Sequence, residues 1–201
     1  MITIIKNKDL FDDINLYDII LVGTNIYGSM SQGFQRKIML NYPHVQEDNM
    51  KTKYGDERKL GTLLECKKEG CPLFVILYIC KGNFRPDLKN DYLSYESLEK
   101  CIKLVNILYK GRKVACTFLG ASKFDGNSDK EKIFEIINNN SKDIDLFVYD
   151  YEQKSKSEEL KQIYTNEKKI KEIDLEKYYD VVKKRKKEAD ERFKNNGHAR
   201  Y

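Results

Sequence analysis

Asp18-Ile19-Ile20-Leu21-Val22-Gly23-Thr24-Asn25-Ile26-Tyr27-Gly28-Ser29-Met30-Ser31-Gln32-Gly33-Phe34-Gln35-Arg36-Lys37 is the stretch that decides the fold. A short apolar run empties into a loop of small residues, and the chain resumes as a helix from Phe34 to Asn41, stopped by Pro43. This layout brings backbone N–H groups close to whatever sits at the strand's end. Glycines permit close approach and the following helix N-terminus favours negative charge, so the site suits a phosphate.

Outward from this stretch, strand and helix signals alternate. Ile2 to Ile5 reads as a strand and Asp9 to Asp13 as a turn or short helix. After a polar stretch, Gly61 to Cys66 reads as a strand, Gly70-Cys71-Pro72 as a turn, and Leu73 to Cys80 as a buried-strand run. A loop from Lys81 to Asp91 leads to a helix, Ser94 to Tyr109, whose apolar face carries Leu98, Cys101, Ile102, Leu104, Val105 and Leu108. Lys113 to Leu119 is a strand, Gly120 to Gly126 a second loop of small residues, Asp129 to Asn138 a helix and Ile144 to Tyr149 a strand. Such alternation predicts an α/β layer architecture with helices on both faces of the sheet. Ligands then bind at the carboxyl ends of strands, where the two glycine-containing loops converge.

The chain divides by composition at about Gln153. Residues 1–153 read as one domain, and residues 154–201 as a basic, Lys/Glu-rich helical tail with 15 Lys+Arg and 10 Asp+Glu. The tail therefore carries the whole net charge of +5. Leu175, Tyr178, Tyr179, Val182, Ala189 and Phe193 recur at helical steps, with Asp174 as N-cap and Gly197 as stop. One reading packs this helix on the domain; the other gives it weak contacts with nucleic acid or protein.

Several function classes are excluded at this level. No apolar run approaches a bilayer span, and Met1-Ile2-Thr3-Ile4-Ile5-Lys6 lacks the basic flank and apolar core of a signal peptide. The expectation is a cytoplasmic protein without membrane contact. Five cysteines, an odd number, read as reduced structural thiols. With only His44 and His198, neither a metal site nor serine–histidine hydrolysis is expected. His44 reads as a surface residue, Asp12 and Asp13 as helix-start charges, and Ser94 as an N-cap beside locally packed Tyr92 and Tyr95. Abundant Lys, Asn and Ile suggest an AT-rich genome, viral, phage or low-GC bacterial.

Taken in order, residues 2 to 151 resemble a macrodomain, the ADP-ribose-binding family. Asn7-Lys8-Asp9-Leu10-Phe11 resembles the family's strand–Gly-Asp-Leu/Ile start, where the aspartate receives the adenine amino group. Gly28 to Lys37, running on to Asn41-Tyr42-Pro43, resembles the first phosphate loop, and Gly55 to Glu65 the strand after it. Leu119-Gly120-Ala121-Ser122-Lys123-Phe124-Asp125-Gly126 resembles the second phosphate loop, with Phe124 matching an aromatic residue at the distal ribose. Ser31 and Ser122 stand where the family has glycine, which keeps the N–H donors but alters the close approach. Asn25 lies near the asparagine that hydrolytic members use, with the local spacing off by one residue.

The resemblance implies a three-layer α/β/α sandwich around a mixed central sheet, with no cofactor. It implies binding of ADP-ribose, free or on a modified protein or nucleic acid, through Asp9, Leu10, Thr24, Asn25, Gly28, Ser29, Met30, Ser31, Gly33, Phe34, Gly120, Ala121, Ser122, Lys123 and Phe124. The pattern is similar to the terminal-ADP-ribose hydrolase branch, whose lysine after the central strand and aspartate in the second loop correspond to Lys81 and Asp125. A lysine becomes a nucleophile when desolvation or a nearby cation favours its neutral amine, and an aspartate then takes its proton. Two alternatives stay open: water attack positioned by Asn25 and the ligand's phosphate, and a non-catalytic nucleotide sponge. In a viral setting either function would act in the host cytoplasm against an ADP-ribose signal.

Overall fold

The computed structural model describes residues 1–82, 92–120 and 128–151, together with residues 180, 181, 183, 184 and 187. The chain divides into two compact units, Met1–Tyr151 and Glu152–Tyr201. In the second unit the five described residues are helical and exposed. The expected caps and stripe of the tail (Asp174, Gly197, Leu175 to Phe193) lie outside the described residues.

The first unit is built on six strands: β1 (Ile2–Lys6), β2 (Ile19–Asn25), β3 (Leu63–Cys66), β4 (Leu73–Cys80), β5 (Lys113–Thr117) and β6 (Asp145–Asp150). Their order across the sheet is β1-β6-β5-β2-β4-β3. All neighbours run parallel except β3, which pairs antiparallel with β4. The sheet is thus mixed, as expected. Four α-helices connect it: α1 (Gly33–Asn41), α2 (Pro43–Lys51), α3 (Tyr95–Leu108) and α4 (Lys130–Asn140).

Strand periodicity separates the two faces. Ile19, Leu21, Val75, Leu77, Ile79, Val114, Cys116, Leu146 and Val148 form one buried cluster with Leu98, Cys101, Ile102 and Val105 of α3 and Ile133 and Ile137 of α4. The alternate residues Ile20, Val22, Phe74 and Ile76 are fully buried on the other face. There Phe74 meets Tyr42 and His44 at the α1–α2 junction, ring centroids 4.6 and 5.9 Å away. The result is the three-layer sandwich. Each such apolar side chain contributes about 1.5–3 kcal/mol relative to exposure, so β2 and β4, buried on both faces, anchor the fold.

Three readings need correction. Pro43 reads in the sequence as a helix stop followed by a polar stretch, yet Pro43–Lys51 is helical, with Pro43 at its start. Proline is well placed in a first helical turn, where its missing N–H costs nothing. His44 is half-buried rather than on the surface, with both ring nitrogens shielded from water and, among the described residues, without partners. Burial, aided by Lys68, holds its pKa below the usual imidazole value. Asp13 is also more than a helix-start charge. It pairs with Lys8 and accepts from the Tyr149 hydroxyl at 2.7 Å, which sits 2.6 Å from the Tyr17 hydroxyl.

Ser94 does cap α3, accepting from the Ser97 N–H. None of the five cysteines forms a disulfide among the described residues, and four of them are buried. Burial pushes the thiols of Cys66, Cys101 and Cys116 up to about 12.

Candidate functional site

Strand β2 lies between β4 and β5, and the chain leaves it in opposite senses. α1 and α2 follow β2 on one face, while the β4–α3–β5 crossover passes over β2 on the other. The carboxyl end of β2 is therefore the switch point where open α/β sheets form ligand crevices. The register shifts between Thr24 and Asn25, placing Asn25 opposite Cys80. Such an irregularity bends a strand and re-aims the residues beyond it.

The loop after β2 is organised by its own side chains. Thr24 is buried and its hydroxyl donates to the Ser29 carbonyl at 3.3 Å. Asn25 is buried, and its Oδ1 accepts from the N–H groups of Tyr27 at 3.0 Å and Ser29 at 3.3 Å. This is how asparagine side chains close turns. Gly28 adopts φ +71°, which only glycine takes without strain, and a Cβ there would stand 3.2 Å from the Asn49 amide. Its carbonyl accepts from Gln46 Nε2 and Asn49 Nδ2 of α2. Met30 is fully buried, anchoring the loop, and the Ser29 and Ser31 hydroxyls lie 3.2 Å apart.

α1 then begins at Gly33, which is exposed, with Phe34 half-buried behind it. The N-cap residue, Gln32, makes no side-chain capping bond. The first turn's N–H groups have no intrahelical acceptors, so they face the loop as donors for an anion. Gln35 reaches back to donate to the Gly23 carbonyl, tying the helix to β2.

The other expected residues gather around the same sheet end. Lys81 follows β4; its side chain is exposed and its N–H donates to the Tyr92 carbonyl at 2.9 Å. The adjacent Cys80 carbonyl accepts from the Ile26 N–H at 3.1 Å, so Lys81 borders the β2–α1 loop. Gly120, at φ +77°, opens the second loop; a Cβ there would meet Leu93 Cδ1 at 2.7 Å. Leu93 bridges to Cys80, so the second loop starts against the residues flanking Lys81. Ala121, Ser122, Lys123, Phe124 and Asp125 lie outside the described residues, and the Lys81–Asp125 pairing with them.

Asp9 follows β1, capping a short 3-10 helix (Leu10–Leu16) through the Phe11 N–H; Leu10 beside it is buried. Its other oxygen is ion-paired with Lys37 of α1. One helix thus carries the loop at its N-terminus and holds Asp9 further along. Lys37, Gln46, Asn49 and Tyr78 were not among the residues read as functional. A proline at a helix start was the available signal for α2; Lys37, four residues after Gly33, was signalled by helical spacing alone. Among the described residues no cluster of His, Cys, Asp or Glu could hold a metal ion.

No protein-family model matches the chain, and no curated protein sequence matches it. Solved structures do. The chain is similar to a Bacteroides thetaiotaomicron protein of unknown function, with TM-score 0.64, 20% identity, and 75% of this chain and 98% of that one covered. It is similar to the macrodomain of Thermus aquaticus DarG, with TM-score 0.59, 15% identity, and 75% and 98% covered. It is also similar to Thermosipho africanus DarTG in complex with ADP-ribose, with TM-score 0.54, 16% identity, and 72% and 41% covered. The chain has the macrodomain fold.

Proposed function

We propose that the carboxyl end of the sheet binds ADP-ribose and that the protein removes ADP-ribose from a modified macromolecule. The observation that carries the binding reading is the uncapped N-terminus of α1, following a self-braced glycine loop at the end of the central strand. An anion placed there meets preorganised N–H donors and the positive end of a helix. The shared fold with a DarTG structure in complex with ADP-ribose supports the choice of ligand.

For the chemistry, Lys81 is the nucleophile in this reading. Its amine attacks C1″ of the distal ribose, the bond from C1″ to the macromolecule breaks, and Asp125 takes the proton the lysine releases. Water then returns the sugar and frees the lysine. Lys81 is exposed, so the desolvation that favours a neutral amine comes from the bound substrate covering it. Water attack positioned by Asn25 is the weaker route, because the Asn25 carboxamide oxygen is already engaged by two loop N–H groups.

That same engagement favours a second reading, a binding module without turnover. Calorimetry with ADP-ribose and release of ADP-ribose from modified protein or nucleic acid separate the two. Lys81→Ala is expected to lower release by roughly 100-fold or more while ADP-ribose still binds. Binding with no release by the wild type, or release untouched by Lys81→Ala and Asp125→Ala, removes the lysine mechanism.

A further inference from the structure

The Gly28–Ser29 peptide is held at both ends. Its carbonyl accepts from Gln46 Nε2 at 3.1 Å and Asn49 Nδ2 at 3.2 Å, and its N–H donates to Asn25 Oδ1 at 3.3 Å. All three side chains are buried. Three amides on one peptide plane are more than a turn requires, since glycine at φ +71° already permits it.

The two α2 amides differ in what else they do. Asn49 is fixed from behind, because the Tyr78 hydroxyl donates to its Oδ1 at 2.8 Å. Gln46 is not: among the described residues its Oε1 is buried without a partner. An unpartnered buried amide oxygen is destabilising. A glutamine at this position is therefore a poor choice for stability, and its Nε2 contact to Gly28 is what it supplies in return.

We propose that Gln46 and Asn49 are positioning residues that set the anion affinity of the β2–α1 loop by keeping the Gly28 carbonyl turned into α2. A peptide released from this clamp is free to rotate. Its carbonyl then carries partial negative charge toward the side where the N–H groups heading α1 gather, opposing an anion. The clamp keeps that dipole out of the site before any ligand arrives, which is preorganisation. This inference rests on the ADP-ribose reading of the site.

The test compares full-length wild type with Gln46→Met, which keeps the side chain's length and removes both the donor and the unpartnered oxygen. ADP-ribose affinity is expected to fall about tenfold, the loss of one well-placed hydrogen bond's constraint. The melting temperature is expected to stay level or rise, and the Ser29 amide to exchange faster with solvent. Tyr78→Phe, which removes the hydroxyl shared by Asn49 Oδ1 and Thr52 Oγ1 and leaves the Gln46 contact in place, is expected to weaken binding less. Unchanged affinity in Gln46→Met overturns the proposal, as does a fall in melting temperature parallel to the loss of affinity. Wild type that fails to bind ADP-ribose overturns the ligand reading and this proposal with it.

Discussion

Single side chains here are spent in ways their identities do not announce. Asn25 looks like a group aimed at a ligand, yet its Oδ1 is used to brace the loop's own N–H groups. His44 looks like a surface residue, yet it packs edge-on to Tyr42 and Phe74 with both nitrogens shielded and, among the described residues, unpartnered. Its folded pKa lies below the ordinary imidazole value of 6.5, chiefly through burial. The folded state thus resists protonation, and the stability it contributes is present above pH 6.5 and lost as pH falls. His44→Leu is expected to raise the melting temperature by about 2–4 °C at neutral pH. The gain is expected to be larger at about pH 5.5 than at about pH 8, read by thermal melts at both; equal shifts at the two values contradict this account.

At the level of elements, local pattern predicted most of what formed. The apolar run Leu73 to Cys80 is β4, and the stripe through Leu98, Cys101, Ile102 and Val105 is the buried face of α3, while Leu104 and Leu108, read into the same stripe, are exposed. α2 carried no signal beyond Pro43 at its start, for a physical reason. Besides Val45, its buried positions are Gln46 and Asn49, so no apolar stripe marks it. Those amides are buried because they serve a loop eighteen and twenty-one residues away, a demand that short-range periodicity cannot carry. The same limit applies to strand order, which is set by crossovers and not by any one strand's composition. The site was legible as loops after strands; the Lys37–Asp9 pair and the α2 clamp were not, because each joins distant segments.

α3 shows how much one terminus contributes. Ser94 Oγ accepts from both the N–H and the hydroxyl of Ser97, which is buried. Ser94→Ala should cost about 1–2 kcal/mol in urea unfolding. Ser94→Asp, which restores a cap acceptor, should recover most of it; equal losses would count against a capping role.

For the whole molecule, ionisation sets a working window. Asp13 is held below its usual value of 3.8 by Lys8 first and Tyr149 second. Its contribution is present above that value and disappears as pH falls through the folded pKa. Tyr149 is pushed above 10.0 by burial first, then by its hydrogen bonds to Tyr17 and Asp13. A group raised in this way stabilises the fold below its unfolded pKa, and that contribution is lost as pH rises past it. Stability should therefore be level from roughly pH 7 to 9 and fall on both sides, on the acid side first through His44 and then, more steeply, through Asp13. Urea midpoints against pH test this. Asp13→Asn should flatten the acid limb below about pH 4 and, by removing one of the groups that raise Tyr149, soften the alkaline one.

One helix has a consequence for what the protein can hold. α1 starts at Gly33 and grips Asp9 through Lys37, four residues on. At 1.5 Å per residue, those positions are about 6 Å apart along a rigid axis. The helix is in effect a caliper, with its uncapped end and its lysine as the two jaws. In the proposed ADP-ribose reading, a ligand touching both would have to match that span, so α1 would select by length before any group selected by chemistry.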